Sequence, residues 1–363
     1  MSQEQITSVN AIAPTRICDI GGWTDTWFAG HGSIFNIAVY PYVDVQVSIL
    51  RDEESAGKIF LSMENYDDKY QFDSSKKIDG PLGSKLFLRE GKGGEFGKYP
   101  LVEKAVEIMD TPMDVGYSIS VYSDAPPGAS IGTSAAVSVA LIASLDRLSD
   151  GHLTAHEIAQ MAHSIETKYL NLECGVQDQL ASAYGGINFI DVNRYPYSVV
   201  SPVPISDQIW WELEQRLALV YIGIPHESSA IHKIVIESLG KTPSLDNRIE
   251  KLRVLARRAK NALIDGNFVE FGDIMNESTA VQKSMHPELV CSQFREIIDI
   301  VKHYKALGCK VNGAGGDGGS LSILFGECRE DKRKCLKVLE EKGFNILPIY
   351  LARRGLRVWE SRG

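Results

Sequence analysis

The stretch PPGASIGTSAA at residues 126–136 sets two prolines, two glycines and three hydroxyl side chains immediately before an apolar run. That order suits a loop that opens a helix. The first turn of a helix carries unpaired N–H groups and a partial positive charge, so it attracts anions. Gly128 and Gly132 let backbone approach a phosphate without a Cβ in the way. Thr133 and Ser134 can add hydroxyl contacts to phosphate or to a magnesium ion, and Ala135 and Ala136 keep the helix start slim. The competing reading is an ordinary turn with a Ser or Thr cap. The stretch lacks the GK[ST] ending of a Walker A loop and the third glycine of a dinucleotide fingerprint. Neither HRD nor DFG occurs in the chain.

Three other stretches bring candidate groups. APTRICDIGGWTDT (13–26) holds Arg16, Trp23 and Asp25. The pair AHSIETKYL (162–170) and LECGVQDQLASAYGG (172–186) holds Glu166 and Asp178, and KVNGAGGDGG (310–319) is a second glycine loop. Each residue also has a plain structural reading: a surface ion pair for Arg16, an exposed helix carboxylate beside Lys168 for Glu166, a cap for Asp178, core packing for Trp23 and Trp27. The eight histidines, His31, His226 and His232 among them, form no ligand-spaced cluster and read as structural.

Taken together and in this order, PPGASIGTSAA, APTRICDIGGWTDT and KVNGAGGDGG resemble the three motifs of the GHMP kinases, across residues 13–319. That resemblance implies an α+β fold in two domains, the first like ribosomal protein S5 domain 2 and the second ferredoxin-like. It also implies ATP and Mg²⁺ as cofactors and phosphoryl transfer to a hydroxyl. Residues Pro127, Gly128, Ala129, Ser130, Ile131, Gly132, Thr133 and Ser134 match the ATP loop. Ser134 and Glu166 match the magnesium ligands, Asp178 the catalytic base, and Arg16 the basic residue facing the transferring phosphoryl group. Gly22, Trp23, Asp25, Gly315 and Asp317 are the expected acceptor contacts. The run Gly21-Gly22-Trp23-Thr24-Asp25 is similar to fucokinases and heptose-phosphate kinases rather than to the Gly-Glu-His-Thr-Asp run of galactokinases. The expected acceptor is therefore a sugar or sugar phosphate, taken at its anomeric hydroxyl. The alternatives are a small non-sugar alcohol, or an inactive sensor of sugar and ATP on the same scaffold. Asp317 departs from the family's all-glycine run; the expectation is that it faces the sugar or the metal.

The elements that must hold these groups are partly legible. With 363 residues the chain exceeds one core, and a boundary between about 190 and 212 gives domains 1–200 and 201–363. Residues 34–50 and 115–124 alternate as strands, 134–148 is apolar nearly all round and predicts a buried helix, and 154–170 and 249–263 carry helical spacing. The polar, glycine-rich 51–100 stretch reads as a surface loop or hairpin region, with 80–104 expected to supply the adenine pocket. A helix is expected over 288–307, and strands flank the second glycine loop. The net charge of −9 argues against nucleic acid and anionic membranes as partners. No run is apolar enough to span a bilayer and no secretion signal shows at the N-terminus, so the expectation is a cytoplasmic protein with reduced cysteines. The oligomeric state is left open.

Overall fold

The computed structural model describes residues 6–363 except 74–76, 80–84, 88–96, 110, 113, 150, 224–227 and 241. Strands β1 (Ile6–Ile20) and β2 (Gly32–Leu50) form its backbone. They pair antiparallel almost end to end. β3 (Lys58–Met63) and β4 (Asp68–Asp73) make a hairpin, and β5 (Lys77–Asp79) with β6 (Lys85–Phe87) a small separate ribbon. Over its described residues the 51–100 stretch thus contains two antiparallel pairs. Helix α1 (Pro100–Ile108) precedes β7 (Gly116–Ser123), whose Tyr117, Ile119 and Val121 face inward as the alternation requires. The far half of β2 pairs with β7, and β3 joins β7 in parallel.

Helix α2 (Thr133–Leu148) is buried on all sides, matching its unbroken apolarity. The helical pattern of 154–170 divides: α3 (Ala155–Ser164) has a full Thr154/Glu157 capping box, then Ile165–Tyr169 widens into a π turn. α4 (Gln177–Tyr184) follows, then β8 (Ile187–Arg194) and β9 (Tyr197–Pro202). β8 pairs with the near half of β2. β1 is covered by α2 and α4 on one face and has further helices on the other, so it is apolar on both sides.

The second half begins with α5 (Asp207–Arg216), β10 (Leu217–Tyr221), α6 (Ser228–Leu239), α7 (Asn247–Ile264) and α8 (Phe268–Met285). The helix expected over 288–307 is shorter, α9 (Ser292–His303), because Pro287 opens a separate 3₁₀ turn before it. β11 (Ala306–Val311), β12 (Ser320–Phe325), α10 (Arg329–Glu341) and β13 (Asn345–Leu347) complete an antiparallel sheet in the order β11-β12-β10-β13. This is the β-α-β-β-α-β order of a ferredoxin-like unit. β14 (Arg357–Arg362) then crosses back to pair with β1.

One apolar cluster joins the two sheets. Ile17 and Phe35 of the first lie in it with Leu219 and Leu324 of the second, and Leu252 and Phe271 fill the space between. The two glycine loops meet directly above this core, Gly313 lying against Ser130. Among the described residues no helix is long and apolar enough to cross a membrane.

Candidate functional site

The end of β1 carries Arg16 and Asp19, and the tight turn after it Trp23 and Asp25, into a cavity of about 380 Å³. The loop before α2 forms the opposite wall with Gly128 to Ser134, and Glu166 and Asp178 come from the π turn and from α4. Four segments far apart in sequence thus meet at one opening.

The loop before α2 is held through its backbone carbonyls. Arg16 N donates to Ile131 O at 2.8 Å, Ser320 Oγ to Ala129 O at 2.6 Å, and Tyr221 Oη to Pro127 O at 3.0 Å. Gly132 caps α2 with φ +76° and provides no side-chain cap, so the first-turn N–H groups stay open toward the cavity. A Cβ at Gly132 would sit 3.3 Å from the Asp178 carboxylate. Ser130, Cys18 and Trp23 also hold left-handed φ values of 59°, 53° and 77°. Each such residue costs on the order of 1 kcal/mol or more and persists only where its surroundings enforce it.

Arg16 lies against Asp178 in a two-pronged pair, Nε to Oδ1 at 2.8 Å and Nη2 to Oδ2 at 2.9 Å, and its Nη1 donates to the carbonyl of Ser130. Burial opposes the guanidinium charge, but Asp178, Asp19 and Asp25 outweigh it and raise the Arg16 pKa. Asp25 is buried, accepts from Gln177 N at 3.1 Å, and is pushed up to about 7 by that burial and by the nearby Asp178 and Asp19 charges. A Cβ at Gly175 would meet Asp25 Oδ2 at 2.0 Å, so only glycine lets the 172–175 segment pass over this carboxylate.

Glu166 sits in the π turn, a widening that recurs at functional positions. It is buried and accepts from Gln179 Nε2 at 2.7 Å, and burial pushes it up to about 7. Gln179 Oε1 has no donor. Glu166 and Ser134 line the same cavity, Ser134 from its exposed side. A buried carboxylate, a hydroxyl and an orphan amide oxygen form an all-oxygen set that fits Mg²⁺, an ion that takes few protein ligands beside phosphate oxygens. Among the described residues no group of three or more His, Cys, Asp or Glu could hold a metal by itself.

The second glycine loop is welded to the first motif. Asp19 accepts from Gly313 N at 3.1 Å and from Lys310 Nζ at 3.3 Å, and Asn312 Oδ1 accepts from Cys18 N at 3.0 Å. Lys310 is buried and also meets Gln282 Oε1 at 3.3 Å; burial lowers its pKa despite Asp19.

The expected site residues do not all converge. Arg16, Trp23, Asp25, Glu166, Asp178 and the loop from Gly128 to Ser134 line the cavity. Pro127 lies outside it, on an adjoining surface pocket with Asn65, Ile346 and Leu347. Gly22 is off the wall, packed against Asp19 and Gln177. Gly313 and Ala314 supply the second loop's contact, whereas Gly315 is packed under Leu289 O. Asp317 is solvent-exposed and off the cavity wall. The adenine pocket expected over 80–104 falls mostly outside the described residues, as does His226.

Sequence reading passed over Asp19, Lys310, Gln177, Gln179 and Glu173, and it took His232 as structural. His232 lines the cavity from α6, its ring 4.7 Å from Trp23 and its Nδ1 without a partner. Only the position of Asp19 within the first motif could have signalled it.

Residues 100–186 match the GHMP kinases N terminal domain and residues 259–341 the GHMP kinases C terminal domain. A bifunctional fucokinase/GDP-fucose pyrophosphorylase of Arabidopsis thaliana is 26% identical over 93% of this chain, which spans 32% of that longer protein. A D-glycero-alpha-D-manno-heptose 7-phosphate kinase of Campylobacter jejuni is 24% identical, covering 97% of this chain and 99% of its own. The fold is shared with a D-glycero-D-manno-heptose 1-phosphate kinase from Bacteriodes thetaiotaomicron, at a TM-score of 0.71, 22% identity, and coverage of 97% and 98%. Both family domains lie in order along a chain whose two glycine loops, buried carboxylates and arginine converge on one cavity, and the chain belongs to the GHMP kinase family.

Proposed function

We propose that this kinase transfers the γ-phosphoryl group of ATP to a hydroxyl of a sugar or sugar phosphate, most simply the anomeric one. The observation that carries the reading is the Arg16–Asp178 pair at the cavity floor, pressed against Gly132 of the phosphate loop. The loop's open N–H groups and the Thr133 and Ser134 hydroxyls receive the nucleotide phosphates. Ser134 and Glu166 would hold Mg²⁺, which supplies charge neutralisation on those phosphates when bound.

Asp178 is placed to accept the proton of the attacking hydroxyl. Arg16 orients that carboxylate in the resting site and presents a permanent positive charge to the phosphoryl group in flight. Asp25 and Trp23, across the cavity, position the acceptor: a carboxylate takes hydroxyl hydrogen bonds, and an indole face covers the apolar side of a ring. The reading divides the chain into 1–200 and 201–363, with β14 returned to the first sheet.

The test is ATP consumption by the purified protein with Mg²⁺ against a panel of free sugars and sugar phosphates, with product identified by ³¹P NMR. A phosphosugar formed at the anomeric carbon supports the reading. Sugar binding without any ATP consumption across the panel sinks it.

A further inference from the structure

The acceptor end of the cavity has a polarity of its own. Its wall is built from Trp23, Asp25, Glu173, Gln177 and His232, all of which line the opening. Among the described residues it pairs carboxylates and an amide oxygen with neutral donors only, the Trp23 indole, the Gln177 amide and one ring N–H of His232. Gln177 Oε1 is buried with no donor, Asp25 is a buried carboxyl, and Glu173 uses Oε2 to accept from Trp27 Nε1 at 2.5 Å while adding a second carboxylate to the rim. His232 Nδ1 is buried without a partner, and burial lowers this imidazole to about 4, so it brings no charge at neutral pH.

The nearby cations are already engaged. Arg16 is the one Arg or Lys among the described residues lining the cavity, and its three nitrogens meet Asp178 and the Ser130 carbonyl. Lys310, behind the wall, is held by Asp19, Gln282 and the Val311 carbonyl. A phosphate dianion on the acceptor is an acceptor-only group that calls for arginine, lysine or a row of N–H donors. Hydroxyl groups both donate and accept, which suits a wall of carboxylates and neutral donors without a free cation.

We propose that the acceptor is an uncharged sugar carrying no phosphate, its hydroxyls donating to Asp25 and Gln177, its ring covered by Trp23 and His232, and anionic sugars turned away by Glu173. This inference rests on the kinase reading above and narrows its substrate class.

The experiment compares matched pairs with the full-length protein, ATP and Mg²⁺: D-galactose, D-mannose and D-glycero-D-manno-heptose, each against its own terminal phosphate. The expected result is at least one free sugar with kcat/KM ~100-fold or more above its phosphorylated partner, the scale that facing like charges impose. Preference for a phosphorylated member in every productive pair overturns the inference and leaves the kinase reading standing. Absence of phosphoryl transfer to any of them, with ATP bound, overturns both. Glu173→Lys supplies the second arm: it should raise the ratio of phosphorylated to free sugar turnover by ~10-fold, since it reverses a rim charge. An unchanged ratio in a folded variant removes Glu173 from the proposal.

Discussion

Arg16 and Asp178, 162 positions apart, meet edge to edge with two parallel hydrogen bonds of 2.8 and 2.9 Å. A fork against a fork fixes the carboxylate's plane as well as its position. Asp178→Asn keeps the shape and removes the base, so kcat should fall by about 10²–10⁴ while ATP still binds. Steady-state kinetics with nucleotide titration checks this, and near-normal turnover would remove Asp178 from the mechanism. Arg16→Lys cannot make the two-pronged contact and is expected to lose kcat with little change in ATP affinity.

Glu166 is buried and its orphan-oxygen neighbour Gln179 leaves room for a cation. In Glu166→Gln the protein should need more Mg²⁺ for half-maximal rate, by ~10-fold or more, the scale on which altering a metal's surroundings acts. A magnesium titration at saturating ATP reads it. An unshifted midpoint would assign Glu166 a purely structural part.

Asp25 gives a pH signature. Its pKa rises from 3.8 in the unfolded chain to about 7 in the fold, chiefly through burial. The folded state therefore holds the proton more tightly, and the ligand-free protein loses stability as pH climbs between those values, then levels off above about 7. Asp25→Asn removes that slope. The variant should melt about 2 °C or more above wild type at pH 8, with the difference shrinking toward pH 4.5, while losing acceptor affinity. Parallel melting curves at both pH values would contradict the buried, uncompensated carboxyl.

Lys310 and Asp19 are both buried, 3.3 Å apart. Lys310→Met leaves Asp19 without its charge partner and should destabilise by about 3–5 kcal/mol. Adding Asp19→Asn should recover part of that loss, because the unpaired charge goes with it. Urea unfolding of the single and double variants measures the coupling. A single variant within about 1 kcal/mol of wild type would show that the pair carries little.

The glycine loop that opens α2 was readable because its signals are local: eleven contiguous residues hold the glycines, the hydroxyls and the helix start. Arg16, Glu166 and Asp178 became readable through the family motif around each, and the cavity then brought them together. The Asp19–Lys310 pair was not readable, because 291 positions separate its members and neither side chain looks unusual in its own stretch. His232 was hidden in a helix whose spacing says only that it packs, and its unpaired nitrogen is a property of the assembled cavity. The π turn at Glu166 also escaped, since apolar spacing over 154–170 cannot tell a widened last turn from a regular one. In the second half, α5, α6, α8 and α10 went unassigned, and a strand as short as β13 is defined by its pairing with β10 more than by its own residues.

The bonds from Asp19 to Gly313, Cys18 to Asn312, Ser320 to Ala129 and Arg16 to Ile131 tie all three motifs into one block. A clam-shell opening between the two sheets would have to break the first three at once, together with the buried charge pair. Any movement that admits ligands is expected in the parts outside that block, the 172–175 segment passing over Asp25 and the helix that carries His232. The floor of the cavity is thereby braced from both halves of the chain.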